Sequence, residues 1–120
     1  MSRPGERAYL AAGIAMTLAL LWVSVVPAAA KVFGYGGLHY VSHFVAFAVL
    51  AFAWRRGLSK APAWAMLAAV IAFGFAQEAI EIAGHAHGFE LADALVDAAG
   101  ALAGVALASV VRARRAGEAK

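Results

Sequence analysis

The sequence predicts an all-α integral membrane protein, a single bundle of about four transmembrane helices with N-terminus and C-terminus cytoplasmic. Three observations predict it. First, 64% of the 120 residues are hydrophobic and only 14% are charged. Soluble domains carry roughly a quarter charged residues, and a chain this short cannot bury so much apolar surface in water. Second, the apolar residues fall into four stretches. A helix rises about 1.5 Å per residue, so roughly 20 residues cross the hydrocarbon core. Third, the basic residues lie on one side of those stretches.

The first span is residues 8–26, entered after Arg3 and Arg7 and closed by Pro27. Basic residues ahead of an apolar run, with Ala28-Ala29-Ala30 after it, resemble a secretory signal and its cleavage site. The run of about 19 residues exceeds a usual signal core, so it is read as a retained helix. Gly13, Thr17 and Ser24 give it a small, weakly polar stripe. The second span is 38–54, inside a segment without charge from Val32 to Trp54. The third is 62–83, with Pro62 in the first turn, where a missing N–H is tolerated. The fourth is 91–111. Short connections at 28–37, 55–61 and 84–90 leave no room for a separate soluble domain, so residues 1–120 form one transmembrane domain.

Charge sets the orientation. Arg3, Arg7, Arg55, Arg56, Lys60, Arg112, Arg114, Arg115 and Lys120 fall on one side, with Glu6 and Glu118. The other side holds Lys31 with Glu78, Glu81, Glu90, Asp93 and Asp97. The basic side should be cytoplasmic, facing anionic lipid headgroups. The net charge of +3 is then a topology signal, and no nucleic-acid partner is expected. Cysteine is absent, which excludes disulfides, thiolate metal sites and cysteine nucleophiles.

All four histidines lie with the acids. His39 and His43 are four residues apart at the start of span two and share a helical face. Glu78 and Glu81 lie near the end of span three. His85, His87 and Glu90 occupy the connection, and Asp93 and Asp97 open span four. An acid inside a bilayer costs roughly 2.5–3.5 kcal/mol at the helix centre and less near the interface. Glu90 and Asp93 are shallow enough to reach water, and Asp93 also gains from the helix dipole. Glu78, Asp97 and His43 lie deeper. At 100° per residue, Asp93, Asp97, Gly100 and Gly104 fall on one face. Gly100-x3-Gly104 is a close-packing motif, so the acids should share the packed face. Gly74 lies one turn from Glu78 on span three.

His43, Glu78, Asp93 and Asp97 are therefore the candidate catalytic residues, as an acid/base or ligand cluster. Gly74, Gly100 and Gly104 are the candidate packing residues. With His39 these side chains offer nitrogen and oxygen to a divalent metal in principle. No tight ligand motif such as HExxH occurs, so neither a metal nor a cofactor is expected. Haem fits less well, because His39 and His43 share one helix. No Ser-His-Asp order, phosphate-cradling loop or nucleotide fingerprint is present.

The stretch HYVSHFVAFAVLAFAW, from His39 to Trp54, resembles the second-helix motif of VanZ-like membrane proteins, roughly D-K-x-x-H-F. His43 and Phe44 match its histidine and phenylalanine. From Phe73 to Gly104 the chain resembles the rest of that domain: E-x-x-Q, a short loop with an arginine, then D-x-x-x-N-x-x-G-x-x-x-G. Glu78, Asp93, Gly100 and Gly104 match. His39-Tyr40 replaces the Asp-Lys pair, Glu81 the glutamine, His87 the arginine and Asp97 the asparagine. All but one of these departures keep an ionisable group.

The resemblance implies a divergent VanZ-like protein of the bacterial inner membrane, in contact with membrane lipids. The family is named for a protein that gives resistance to the glycopeptide antibiotic teicoplanin. The first functional expectation is an envelope protein whose outer cluster binds or modifies a lipid-linked component. The alternative is a non-catalytic structural or accessory subunit of a larger membrane complex, with other membrane proteins as partners. Proton or metal-ion transport is a third reading. Four short helices leave little room for alternating access, and the inner half lacks ionisable residues.

Overall fold

The computed structural model describes residues 4–26, 36–85 and 91–118. Four helices, α1 (Pro4–Val25), α2 (Gly36–Gly57), α3 (Ala63–His85) and α4 (Leu91–Glu118), account for nearly all of them. Each is long and apolar enough to cross a membrane. The protein is an all-α, multi-pass membrane bundle.

The helices outrun the apolar stretches that mark them in the sequence. α1 begins at Pro4, α2 takes in Arg55 and Arg56, and α4 continues to Glu118. Hydropathy marks the part that lies in hydrocarbon. Backbone hydrogen bonding continues beyond it where the flanking residues are good helix formers, as Arg, Ala and Glu are. Two expected details are corrected. Pro62 precedes α3 and caps it, its carbonyl accepting from the amides of Ala65 and Met66 at 3.1 and 3.2 Å. Gly84 and His85, expected in the connection, belong to the last turn of α3. Pro27, Lys31, His87 and Glu90 lie outside the described residues.

The helices stand in a ring in the order α1, α2, α4, α3, with α2 also touching α3. Among the described residues α1 and α4 do not meet. The most extensive contact joins α2 to α4. These two helices are parallel, since residues 39 and 43 of α2 meet residues 93 and 97 of α4 in the same order. Glycine makes their approach possible. A Cβ at Gly100 would fall on the Phe44 carbonyl oxygen, and one at Gly104 on that of Ala48. The α4 backbone therefore rests directly on α2, where small residues replace side-chain interdigitation.

The apolar core is small, built on Phe47, Leu50, Ala51, Ala101 and Val105 with Leu20 and Val70. Leu18, Trp22, Val49, Trp64, Leu95, Leu102 and Leu107 face outward and are exposed. Such an exterior is unsuited to water and suited to lipid.

The contact of α1 with α2 includes a polar pair. The Trp54 indole N–H donates to the Thr17 hydroxyl at 3.0 Å, and that hydroxyl donates to the Gly13 carbonyl at 2.8 Å. Trp54→Phe should cost about 1 kcal/mol, the net value of one such bond. Thr17→Val should cost no more in the Trp54→Phe background than a lost methyl-sized contact. Thermal unfolding of the wild type, the two single variants and the double variant in detergent checks both values.

The basic end is tied together through the α2–α3 turn. The Arg55 guanidinium donates to the carbonyls of Ser59 and Ala61 at 3.3 and 3.2 Å. Arg112 of α4 reaches the same Ser59 carbonyl at 2.6 Å, and the Ser59 hydroxyl donates to Glu6 of α1. Arg56 lies over the Tyr9 ring, 5.1 Å from its centroid. Residues that the sequence marks only as topology signals thus also hold three helices to one turn.

Candidate functional site

The opposite end of the bundle holds two histidine–aspartate pairs, both bridging α2 and α4. On α2, His39 and His43 stand one turn apart with ring centroids 4.5 Å from each other. On α4, Asp93 and Asp97 repeat that spacing. Because the two helices are parallel, the spacings fall into register. The His43 Nδ1–H donates to Asp97 Oδ1 at 2.8 Å. The His39 Nε2–H is shared between the two carboxylate oxygens of Asp93 at 3.1 and 3.2 Å. The glycine contacts at Gly100 and Gly104 lie farther along the same seam and bring the helices close enough for these short side chains to meet.

The pairs differ in depth. His43 and Asp97 are 4% and 2% exposed. Asp93 is 3% exposed, but the side chain of its partner His39 retains 28%, so the outer pair opens toward the end of the bundle. Asp93 also lies in the first turn of α4, where the helix dipole favours an anion. One turn adds about 5.4 Å of depth, and there Asp97 depends on its neighbours.

α3 supplies the third wall. Gly74 leaves the space into which Asp97 projects: a Cβ there would stand 3.4 Å from Asp97 Cβ and 3.6 Å from Oδ2. One turn on, Glu78 is 2% exposed and close enough for its charge to act on Asp97. The structure thus gathers His43, Asp93, Asp97 and Glu78 at one end of the bundle, with His43 on Asp97 and His39 on Asp93.

Two residues outside the sequence-derived set belong here. The sequence marks His39 only as a conceivable ligand, yet it holds Asp93. Its place at i−4 from His43, matching the spacing of the aspartates, was the available signal. Gln77 gave no signal beyond being an amide in an apolar run. It is buried, and its Nε2 donates to the Leu20 carbonyl of α1 at 3.1 Å. That oxygen also accepts from the buried Ser24 hydroxyl at 2.8 Å.

An aspartate on one ring nitrogen fixes the imidazole's tautomer and orientation, which prepares the other nitrogen to accept a proton or bind a ligand. Nucleophilic catalysis by the adjacent serine does not fit, because the Ser42 hydroxyl donates to the Leu38 carbonyl of its own helix. Acid/base action or ligand binding by the histidines and acids remains. No family model matches the sequence, and no characterised protein or solved structure is detectably similar to it.

Proposed function

We propose that the protein is a divergent VanZ-like protein of the bacterial inner membrane, with both termini cytoplasmic. In this reading the paired histidine–aspartate end faces outward, where it binds or modifies a lipid-linked envelope component. The observation that supports it most is the buried His43–Asp97 pair. Ionisable residues are costly inside a membrane, and a bundle needing only stability has cheaper solutions in apolar packing. The arginine-rich end, by contrast, has the composition of a cytoplasmic rim.

The chemistry restricts the component. Asp93, Asp97 and Glu78 repel a bare phosphate, whereas carboxylates and imidazoles readily bind hydroxyls and amines. The recognised part is therefore a sugar or amino group that reaches the membrane surface. His43, oriented by Asp97, exchanges the proton, and Glu78 binds the same group.

Expression in a teicoplanin-sensitive Gram-positive host tests this reading. The wild-type chain should raise tolerance to the antibiotic. Asp97→Asn and Glu78→Gln, inserted at normal levels, should each remove most of the gain. Absence of any gain from the wild type, or full tolerance from both variants, contradicts it.

Gly74, Gly100 and Gly104 face neighbours within the chain, so these three do not favour the alternative, a structural or accessory subunit of a larger membrane complex.

A further inference from the structure

We propose that His39, His43 and Asp93 form a binding site for one divalent transition-metal cation, with Zn²⁺ the best-fitting ion. Each offers a ligand atom, and the three atoms lie within 4.8 Å of one another. In a tetrahedral zinc site with bonds of about 2.0–2.1 Å, neighbouring ligand atoms are about 3.3 Å apart. His39 Nε2 already stands 3.1 and 3.2 Å from the two Asp93 oxygens. One edge of the coordination polyhedron is therefore formed, with a proton where the cation would sit. The third ligand atom stands within 4.8 Å of the other two and moves inward when the cation binds.

The donor set selects the metal class. Two imidazoles and one carboxylate suit zinc and its first-row neighbours, whereas Mg²⁺ and Ca²⁺ prefer oxygen throughout. Three protein ligands leave a fourth position for water or a bound group, as in catalytic zinc sites. The surroundings have the matching form. Nδ1 of His43 donates to Asp97 at 2.8 Å. A carboxylate behind a ligating histidine orients the ring and raises its basicity. His39, the most exposed of these residues, provides the entry path.

The sequence shows no metal motif because the carboxylate comes from another helix, 54 residues from its histidine. This proposal goes beyond the envelope reading and does not depend on it: a cation on His43 would replace the proton exchanged there, and metal binding is measured without any envelope component.

The test uses the full chain, purified in mild detergent and stripped with a chelator. Isothermal titration with Zn²⁺ should show saturable binding of one ion per chain, with a rise in thermal stability. Co²⁺ should give the intense visible absorption of a four-coordinate site. His39→Gln and Asp93→Asn should each weaken Zn²⁺ binding at least 100-fold. Asp97→Asn, acting behind His43, should weaken it about 10–100-fold. Glu118→Gln, at the other end of α4, should change nothing. No saturable binding by the wild type overturns the proposal. So does affinity unchanged in both His39→Gln and Asp93→Asn. If either variant unfolds, the Co²⁺ spectrum of the wild type decides: an octahedral aquo spectrum overturns the site.

Discussion

Gly104→Ala should destabilise the bundle by about 3 kcal/mol, at the upper end of the usual cost of over-packing. The new methyl would meet the Ala48 carbonyl oxygen, with Ala48 C at 2.9 Å and the Phe52 amide nitrogen at 3.0 Å. All are backbone atoms of a packed helix and cannot turn aside as a side-chain tip can. α4 must move away from α2, which weakens the seam on which the histidine–aspartate contacts depend. The sign is informative, because alanine favours a helix over glycine by about 1 kcal/mol where nothing opposes it. Gly37→Ala, with no neighbour within 4 Å of its Cβ, should be neutral or slightly stabilising. Unfolding of both variants in micelles, followed by circular dichroism, checks the pair. A stability gain from Gly104→Ala would show that α2 and α4 are farther apart than described.

Asp97→Ala should be the most damaging change at the site, costing about 3–5 kcal/mol, as when a buried pair loses one partner. It leaves His43 inside the bundle with its Nδ1 partner removed. It also opens a gap beside Gly74 and Phe47. Relief of repulsion with Asp93 and Glu78 offsets part of the loss. Asp97→Asn retains an oxygen that can accept from His43 and should cost less than Asp97→Ala. The two variants therefore separate structure from function: both should lose activity in the tolerance assay, while only Asp97→Ala loses most of its stability. Equal stability of Asp97→Ala and the wild type would contradict burial of the pair.

The fold was legible because membrane helices announce themselves by length and hydropathy, and all four spans could be placed. Helix ends were less legible, since Arg55, Arg56 and residues 112–118 are polar enough to leave hydrocarbon yet remain helical. Within the site, the spacing of His39 and His43, and of Asp93 and Asp97, could be read from sequence. Their pairing could not. It depends on α2 and α4 being adjacent and in register, a tertiary fact that one chain's periodicity does not contain. The same limit applies to Gly100-x3-Gly104, whose form indicates close packing without naming α2 as the partner. Gln77 and the Trp54–Thr17 bond were silent because single polar groups in apolar runs satisfy many geometries equally well.

The most direct test of the paired arrangement is a double-mutant cycle on His43 and Asp97. His43→Ala, Asp97→Ala and the double variant are unfolded in the same detergent. Contact at 2.8 Å in a buried setting predicts that the two single losses exceed the combined loss by about 1–3 kcal/mol. Losses that add to within about 0.5 kcal/mol would mean that the two side chains do not interact, and the paired clamp between α2 and α4 would be wrong.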